Sequence, residues 1–111
     1  MTVIQKNMNS EIEFDRDYRY IIEEPFIKGL LRILILSALK EGEKRGYQVY
    51  RYIVNKIRLK VSLSTMYTLL KELKDKDFIV NIEGVYHLTE KGRKALEIFM
   101  RKYNDIKSIF I

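Results

Sequence analysis

The chain has no cysteine and no tryptophan, one histidine, one proline and five glycines in 111 residues. Without cysteine, disulfide frameworks, zinc ribbons and iron–sulfur sites are excluded. With His87 alone, one chain cannot build a histidine metal site or a histidine-based catalytic cluster. The residues contain no phosphate-cradling glycine loop and no nucleophile–histidine pairing, so no enzyme, no cofactor and no metal is expected. The longest largely apolar run, from Ile33 to Leu39, is bordered by Arg32 and falls far short of the ~20 residues a membrane span needs. The N-terminus has no apolar core after its first charge, so no secretory leader is read and a cytoplasmic protein is expected.

What the chain does have is positive charge. Twenty-one Lys and Arg stand against fifteen Asp and Glu, for a net +6. Residues 1–24 hold three basic and six acidic side chains, whereas residues 25–111 hold eighteen and nine. A basic body suits a polyanionic partner, nucleic acid foremost, although a solvated lysine-rich surface has the same composition. At 47% hydrophobic and 32% charged, the chain reads as one globular domain, or one domain with a tail.

Residues 1–24 form an arm of undecided type. Ile12, Phe14, Tyr18, Tyr20 and Ile22 alternate with charges as in a strand, while Phe14, Tyr18 and Ile21 also fit one helix face. Pro25, after two glutamates, signals a helix start. The helix runs through Phe26 to Lys40, apolar on nearly all sides and therefore buried, and Gly42 supplies a left-handed end. A second helix covers Gly46 to Ile57, with Tyr47, Tyr50, Ile53, Val54 and Ile57 on one side. A third starts at Ser62 or Ser64 and ends near Lys76. Two β-rich runs, 78–82 and 85–88, are separated only by Glu83-Gly84, a hairpin signal. Thr89 then caps a long last helix.

The order helix, helix, helix, hairpin, helix is that of a winged helix-turn-helix. The fold class is therefore α+β, mostly α, with a two-stranded β wing and a long C-terminal dimerisation helix. The expected division is an arm at 1–24, a winged-helix DNA-binding domain at 25–90 and a dimerisation helix at 91–111.

In the helix 62–76, Met66, Leu69, Leu70 and Leu73 share the core face. The opposite face carries Ser64, Thr68, Lys71 and Asp75, flanked by Thr65 and Tyr67. Its first two turns hold hydroxyls and a lysine but no acid. A major-groove helix reads bases with its N-terminal residues, and Ser and Thr can donate or accept there. A polar, solvated face would have the same composition. Arg45, Tyr47, Arg51, Arg58 and Lys60 lie around the helix starts as phosphate contacts; Tyr47 also fits a core position with its hydroxyl at the rim.

The run Arg45-Gly46-Tyr47-Gln48-Val49, the run Ser62-Leu63-Ser64-Thr65-Met66-Tyr67-Thr68-Leu69-Leu70-Lys71-Glu72-Leu73, Phe78-Ile79 and Tyr86-His87-Leu88-Thr89-Glu90-Lys91-Gly92 follow Gly29-Leu30 and Ile35-Leu36 in a fixed order. In that order they resemble the PadR family of winged-helix transcriptional regulators over residues 28 to about 97. The resemblance implies a homodimeric repressor of double-stranded DNA, with the third helix in the major groove and the last helix in the dimer interface. It also implies that Tyr47, Ser62, Thr65 and Tyr67 lie at or near the DNA. The family usually has His where Arg45 stands, Gly at Ser64, Pro at Thr68 and often Gly at Asp77. Family wings are longer and basic; here the tip is Glu83-Gly84, leaving Asn81 and the tip backbone as the only wing contacts with a phosphate. His87 reads as a structural strand residue.

Leu96, Phe99, Tyr103, Ile106 and Phe110 are spaced 3, 4, 3, 4, a coiled-coil seam over two heptads. The domain core needs the helix only through Leu96, so the remainder marks a homodimer interface. Folding of the seam onto the chain's own arm is the alternative. A winged-helix adaptor that binds protein and not DNA is the rival function, drawn from the acidic arm and acidic wing tip. A small-molecule effector is a third, with Phe26, Phe99 and Tyr103 as liners and no converging polar group to support it.

Overall fold

The computed structural model describes residues 8–58 and 60–110. By contact density the chain divides into two units, Met1–Leu30 and Leu31–Ile111. In chain order the elements are α1 (Met8–Asp17), a π-helical segment (Tyr18–Glu23), α2 (Glu24–Glu41), β1 (Lys44–Arg45), α3 (Gly46–Lys56), α4 (Leu63–Asp75), β2 (Ile79–Ile82), β3 (Val85–Leu88) and α5 (Glu90–Phe110).

In the first unit, residues 8–23 of the arm are helical. A strand needs a neighbour to satisfy its backbone, and all three strands of the sheet lie within residues 44–88; a helix satisfies its backbone within itself. Pro25 is the second residue of α2, where its helix-start signal places it, although the residues before it are helical too. Only Glu24 separates it from the π-helical segment, and Glu24 donates its N–H to the carbonyl of Arg19, five residues back. Proline cannot join the ordinary ladder, and the widened turn sits immediately before it. Along this unit Phe14, Tyr18, Ile21, Ile22 and Phe26 are all exposed.

In the second unit, α2 contributes Leu31, Ile35, Leu36, Ala38 and Leu39 to the core. Ile27, Leu30, Ile33 and Leu34 are half-buried and Phe26 is exposed, so the helix is less enclosed than its composition predicts. Gly42 has φ 159°, not the left-handed conformation expected of it. The helix end is satisfied instead by Lys44, whose ammonium donates to the carbonyls of Ala38 (2.7 Å) and Gly42 (3.3 Å). Val49 and Ile53 of α3, Val61, the four buried residues of α4 (Met66, Leu69, Leu70 and Leu73), Ile79 and Leu96 complete the core.

The wing is not the isolated two-stranded hairpin predicted from the sequence. It is a three-stranded antiparallel sheet of order β1-β3-β2, in which Lys44 pairs with Tyr86 and Arg45 with Val85. Two residues give too short a signal to read, and their pairing is made by the tertiary fold. The hairpin itself turns at Glu83-Gly84, with φ of 51° and 87°. Positive φ at both central residues is the primed turn that matches strand twist, and glycine accommodates it best. At the end of α4, Asp77 has φ 66°, where the family often has glycine.

The wing passes into α5 through a tight knot. The Thr89 hydroxyl donates to the carbonyls of Asp77 (2.6 Å) and Phe78 (2.9 Å) and accepts from the N–H of Gly92 (3.1 Å). Gly92 is buried against the Phe78 carbonyl: a Cβ there would lie 2.1 Å from that oxygen.

Candidate nucleic-acid interface

The candidate surface is built on α3, the connection to α4 and the first turns of α4. The amphipathic pattern of α4 orients it. Met66, Leu69, Leu70 and Leu73 are buried, which turns Ser64, Thr68 and Lys71 to solvent. Ser62 is the N-cap. Its hydroxyl accepts from the Thr65 N–H (3.0 Å) and donates to the Thr65 hydroxyl (2.9 Å). The two side chains are thus fixed on each other at the start of the helix. The Thr68 hydroxyl donates back to the Ser64 carbonyl (3.0 Å), which leaves its lone pairs to accept from a ligand. The connection is closed by Tyr50, whose hydroxyl donates to the Val61 carbonyl (3.0 Å).

Tyr67 is 43% exposed, and its ring lies over the first residue of α3. A Cβ on Gly46 would stand 2.6 Å from Tyr67 Cε1, so glycine is what lets the ring lie flat on the α3 N-terminus. Tyr47 is 52% exposed and does not join the core. The buried face of α3 is Gly46, Val49 and Ile53, which leaves Tyr47 outside that stripe. Arg51 and Lys60 are exposed.

Arg45 stands between the two halves of this surface. Its backbone N–H donates to Gln48 Oε1 (2.8 Å) as α3 begins, and its side chain reaches the wing tip. Nη1 lies 3.0 Å from where a Gly84 Cβ would be. The hairpin 79–88 contains neither Lys nor Arg, so Arg45 brings a cation to it. Asn81 is occupied within the turn, where its Oδ1 accepts from the Gly84 N–H (2.8 Å). His87 pairs with Val80 across the hairpin, and its Nδ1 lies 3.2 Å from Glu43 Oε2.

The acids of α4 are partnered. Glu72 accepts from Nε and Nη2 of Arg32 on α2, the latter at 3.0 Å, and this bond raises the arginine's pKa further above its ordinary value. Lys71 bonds Asp75 one turn on, at 2.7 Å. The pairing raises the lysine's pKa and holds the Asp75 carboxyl below the ordinary carboxylate range, with Lys74 and Lys76 adding to the second effect. Lys71 is therefore engaged with Asp75 on the same face. The sequence reading missed Leu63. It falls in phase with Met66 and Leu70 and so reads as core, yet it is 46% exposed in the first turn, where an apolar contact with a thymine methyl is possible.

On α5, Leu96 is buried within its own chain, so it belongs to the domain core and not to an open seam. Phe99 is half-buried and stacks on Tyr103 with ring centroids 6.0 Å apart. Tyr103, Ile106 and Phe110 are 44%, 50% and 83% exposed. Among the described residues no helix is long and apolar enough to cross a membrane, and no acidic or histidine cluster fits a metal ion.

Comparison with known proteins places these features. Residues 35–98 match the model of the transcriptional regulator PadR-like family. A PadR family transcription regulator from Clostridium difficile R20291 is 27% identical with a TM-score of 0.67, covering 71% of this chain and 92% of its own. A transcriptional regulator from Clostridium thermocellum has the same fold (TM-score 0.71, 24% identity, 80% and 94% covered). Bacillus subtilis PadR in complex with operator DNA is 29% identical with a TM-score of 0.56; the match covers 64% of this chain and 45% of that one. No curated protein sequence matches significantly.

Proposed function

This chain belongs to the PadR-like family of transcriptional regulators, and on that premise we propose that it is a homodimeric repressor that sets α4 into the major groove of an operator. One observation carries this reading: the first two turns of α4 expose Ser64, Thr68 and Tyr67, contain no acid, and have their opposite face locked in the core. A helix fixed in that way presents hydrogen-bonding groups to base edges without having to reorganise. Arg45, Tyr47, Arg51 and Lys60 surround it as phosphate contacts, and Ser62, Thr65 and the helix N-terminus add uncharged ones. Lys71 joins them on leaving Asp75. Asn81 contributes through its free amide only, because its oxygen holds the turn. The operator complex of Bacillus subtilis PadR supports the choice of partner.

Repression follows from dimer geometry. The outer part of α5, with half-buried Phe99 and exposed Tyr103, Ile106 and Phe110, is an apolar surface of the kind that pairs copies of a chain. Two copies then present two α4 helices to successive major-groove faces and cover promoter DNA.

The test is fluorescence anisotropy of labelled duplex, with fragments from the chain's own upstream region as competitors, at several salt concentrations. A sequence-specific binder loses about a thousandfold in affinity between 50 and 200 mM salt for about six phosphate contacts, and one fragment competes far better than random DNA. Absence of binding at low salt refutes the reading and favours a protein-binding adaptor, for which the acidic arm and the acid at the wing tip are the supporting features.

A further inference from the structure

We propose that residues 8–23 dock on the C-terminal helix of a second copy of the chain. This rests on the homodimer just described and names the surface that completes it. Phe14, Tyr18, Ile21 and Ile22 line one shallow groove beside Asp17 and are 46–73% exposed. They line that groove together across the junction of α1 and the π-helical segment, so they form one stripe. The outer part of α5 carries the other unpartnered stripe, in Tyr103, Ile106 and Phe110. The two are matched in length: sixteen residues span about 24 Å and the fourteen from 97 to 110 about 21 Å.

Charge selects the pairing. Residues 8–23 contain five acids and two bases, whereas residues 97–110, the outer part of α5, contain two acids and three bases. The acids and bases that matter flank the stripes. With Phe14, Tyr18 and Ile21 as the seam, Asp15 and Asp17 fall at the bordering positions of the helix. With Phe99, Tyr103, Ile106 and Phe110 as the seam, Lys102 and Lys107 do. In paired helices these bordering positions set partner choice. Pairing α1 with α1 or α5 with α5 opposes like charges, whereas pairing α1 of one copy with α5 of the other opposes Asp to Lys. A two-fold dimer makes that contact twice.

The test uses two full-length variants, Asp15→Lys/Asp17→Lys and Lys102→Glu/Lys107→Glu, in sedimentation velocity, with circular dichroism to verify helicity. Each alone dimerises roughly tenfold more weakly or worse, because both contacts of its homodimer become repulsive. Mixed in equal amounts they form a heterodimer: the lysine arm of one faces the glutamate helix of the other, and the original Asp–Lys contact survives on the opposite side. An arm variant that dimerises like the unchanged protein, while Phe99→Glu/Tyr103→Glu is monomeric, overturns the docking and leaves the homodimer standing. Two weakened variants that mixing does not rescue place the arm against its own chain and also overturn it. If the unchanged protein is itself monomeric, the homodimer reading fails and the docking with it.

Discussion

Substituting alanine at Gly92 separates a rule about helices from the packing of this helix. Glycine inside a helix is less favourable than alanine by about 0.5–1 kcal/mol, so helix propensity alone makes Gly92→Ala stabilising. The surroundings reverse the sign. The added carbon stands 2.1 Å from the Phe78 carbonyl oxygen and 2.6 Å from Leu88 Cδ1. Carbon–oxygen contacts settle near 3.3 Å, so α5 and the start of the wing must part by about 1 Å. The leucine methyl can rotate; the carbonyl is backbone and cannot. Parting loosens the Thr89 knot, where the hydroxyl holds Asp77, Phe78 and Gly92 and the Thr89 N–H bonds Phe78 at 3.2 Å. Losing two such bonds at about 1 kcal/mol each, with about 1–3 kcal/mol of overpacking, outweighs the propensity gain. The net is about 2–4 kcal/mol of destabilisation, on the order of 10 °C in Tm. Urea and thermal unfolding measure it, with Gly29→Ala as the control. Gly29 is also helical but has nothing within 4 Å of the added carbon, so that variant is neutral or stabilised. A Gly92→Ala protein as stable as the unchanged one refutes the packing argument.

Three further outcomes are expected. Ser62→Ala loses the acceptor for the Thr65 N–H and about 1 kcal/mol of stability, read by thermal melting, together with DNA affinity. Gly46→Ala pushes the Tyr67 ring off the α3 N-terminus; because the ring is half exposed, anisotropy falls while the melting temperature moves little. Asp75→Asn releases Lys71, so DNA binding tightens and its salt dependence steepens by about one phosphate's worth. Since Lys71 holds the Asp75 carboxyl below the ordinary carboxylate range, the acid is charged throughout the neutral range, and the tightening is the same at pH 6 and pH 8.

The fold was most legible where local and global signals agree. In α4, Ser62 caps, the apolar residues repeat at one face, and polar residues take the other, so its bounds and orientation follow from the residues alone. Glu83-Gly84 placed the hairpin turn because its backbone demands are met by few residue pairs. The arm was illegible because Ile12 to Ile22 satisfy two periodicities at once, and the structure decides between them by making residues 8–23 helical. The strand at Lys44–Arg45 carries no periodicity at all, since it exists through its pairing with β3. The site was legible in composition and less so in side-chain commitments. That Lys71 is tied to Asp75 and Asn81 to Gly84 depends on rotamers, which spacing does not encode, whereas Tyr47 stands exposed because Gly46, Val49 and Ile53 fill the buried face of α3.

The knot at Thr89 leaves no slack between the wing and α5, and this makes the last helix a lever. In a dimer held through the outer part of α5, the arm from Leu96 to the helix end is about 21 Å long, and nothing at its root bends freely. A change of about 10° in how this helix crosses the partner copy moves the far end by about 3.7 Å, close to the 3.4 Å rise of one base pair. Small residue exchanges along α5, remote from any base, would therefore shift the half-site spacing that a dimer fits. Operators can diverge among relatives through that angle while the reading helix itself stays unchanged.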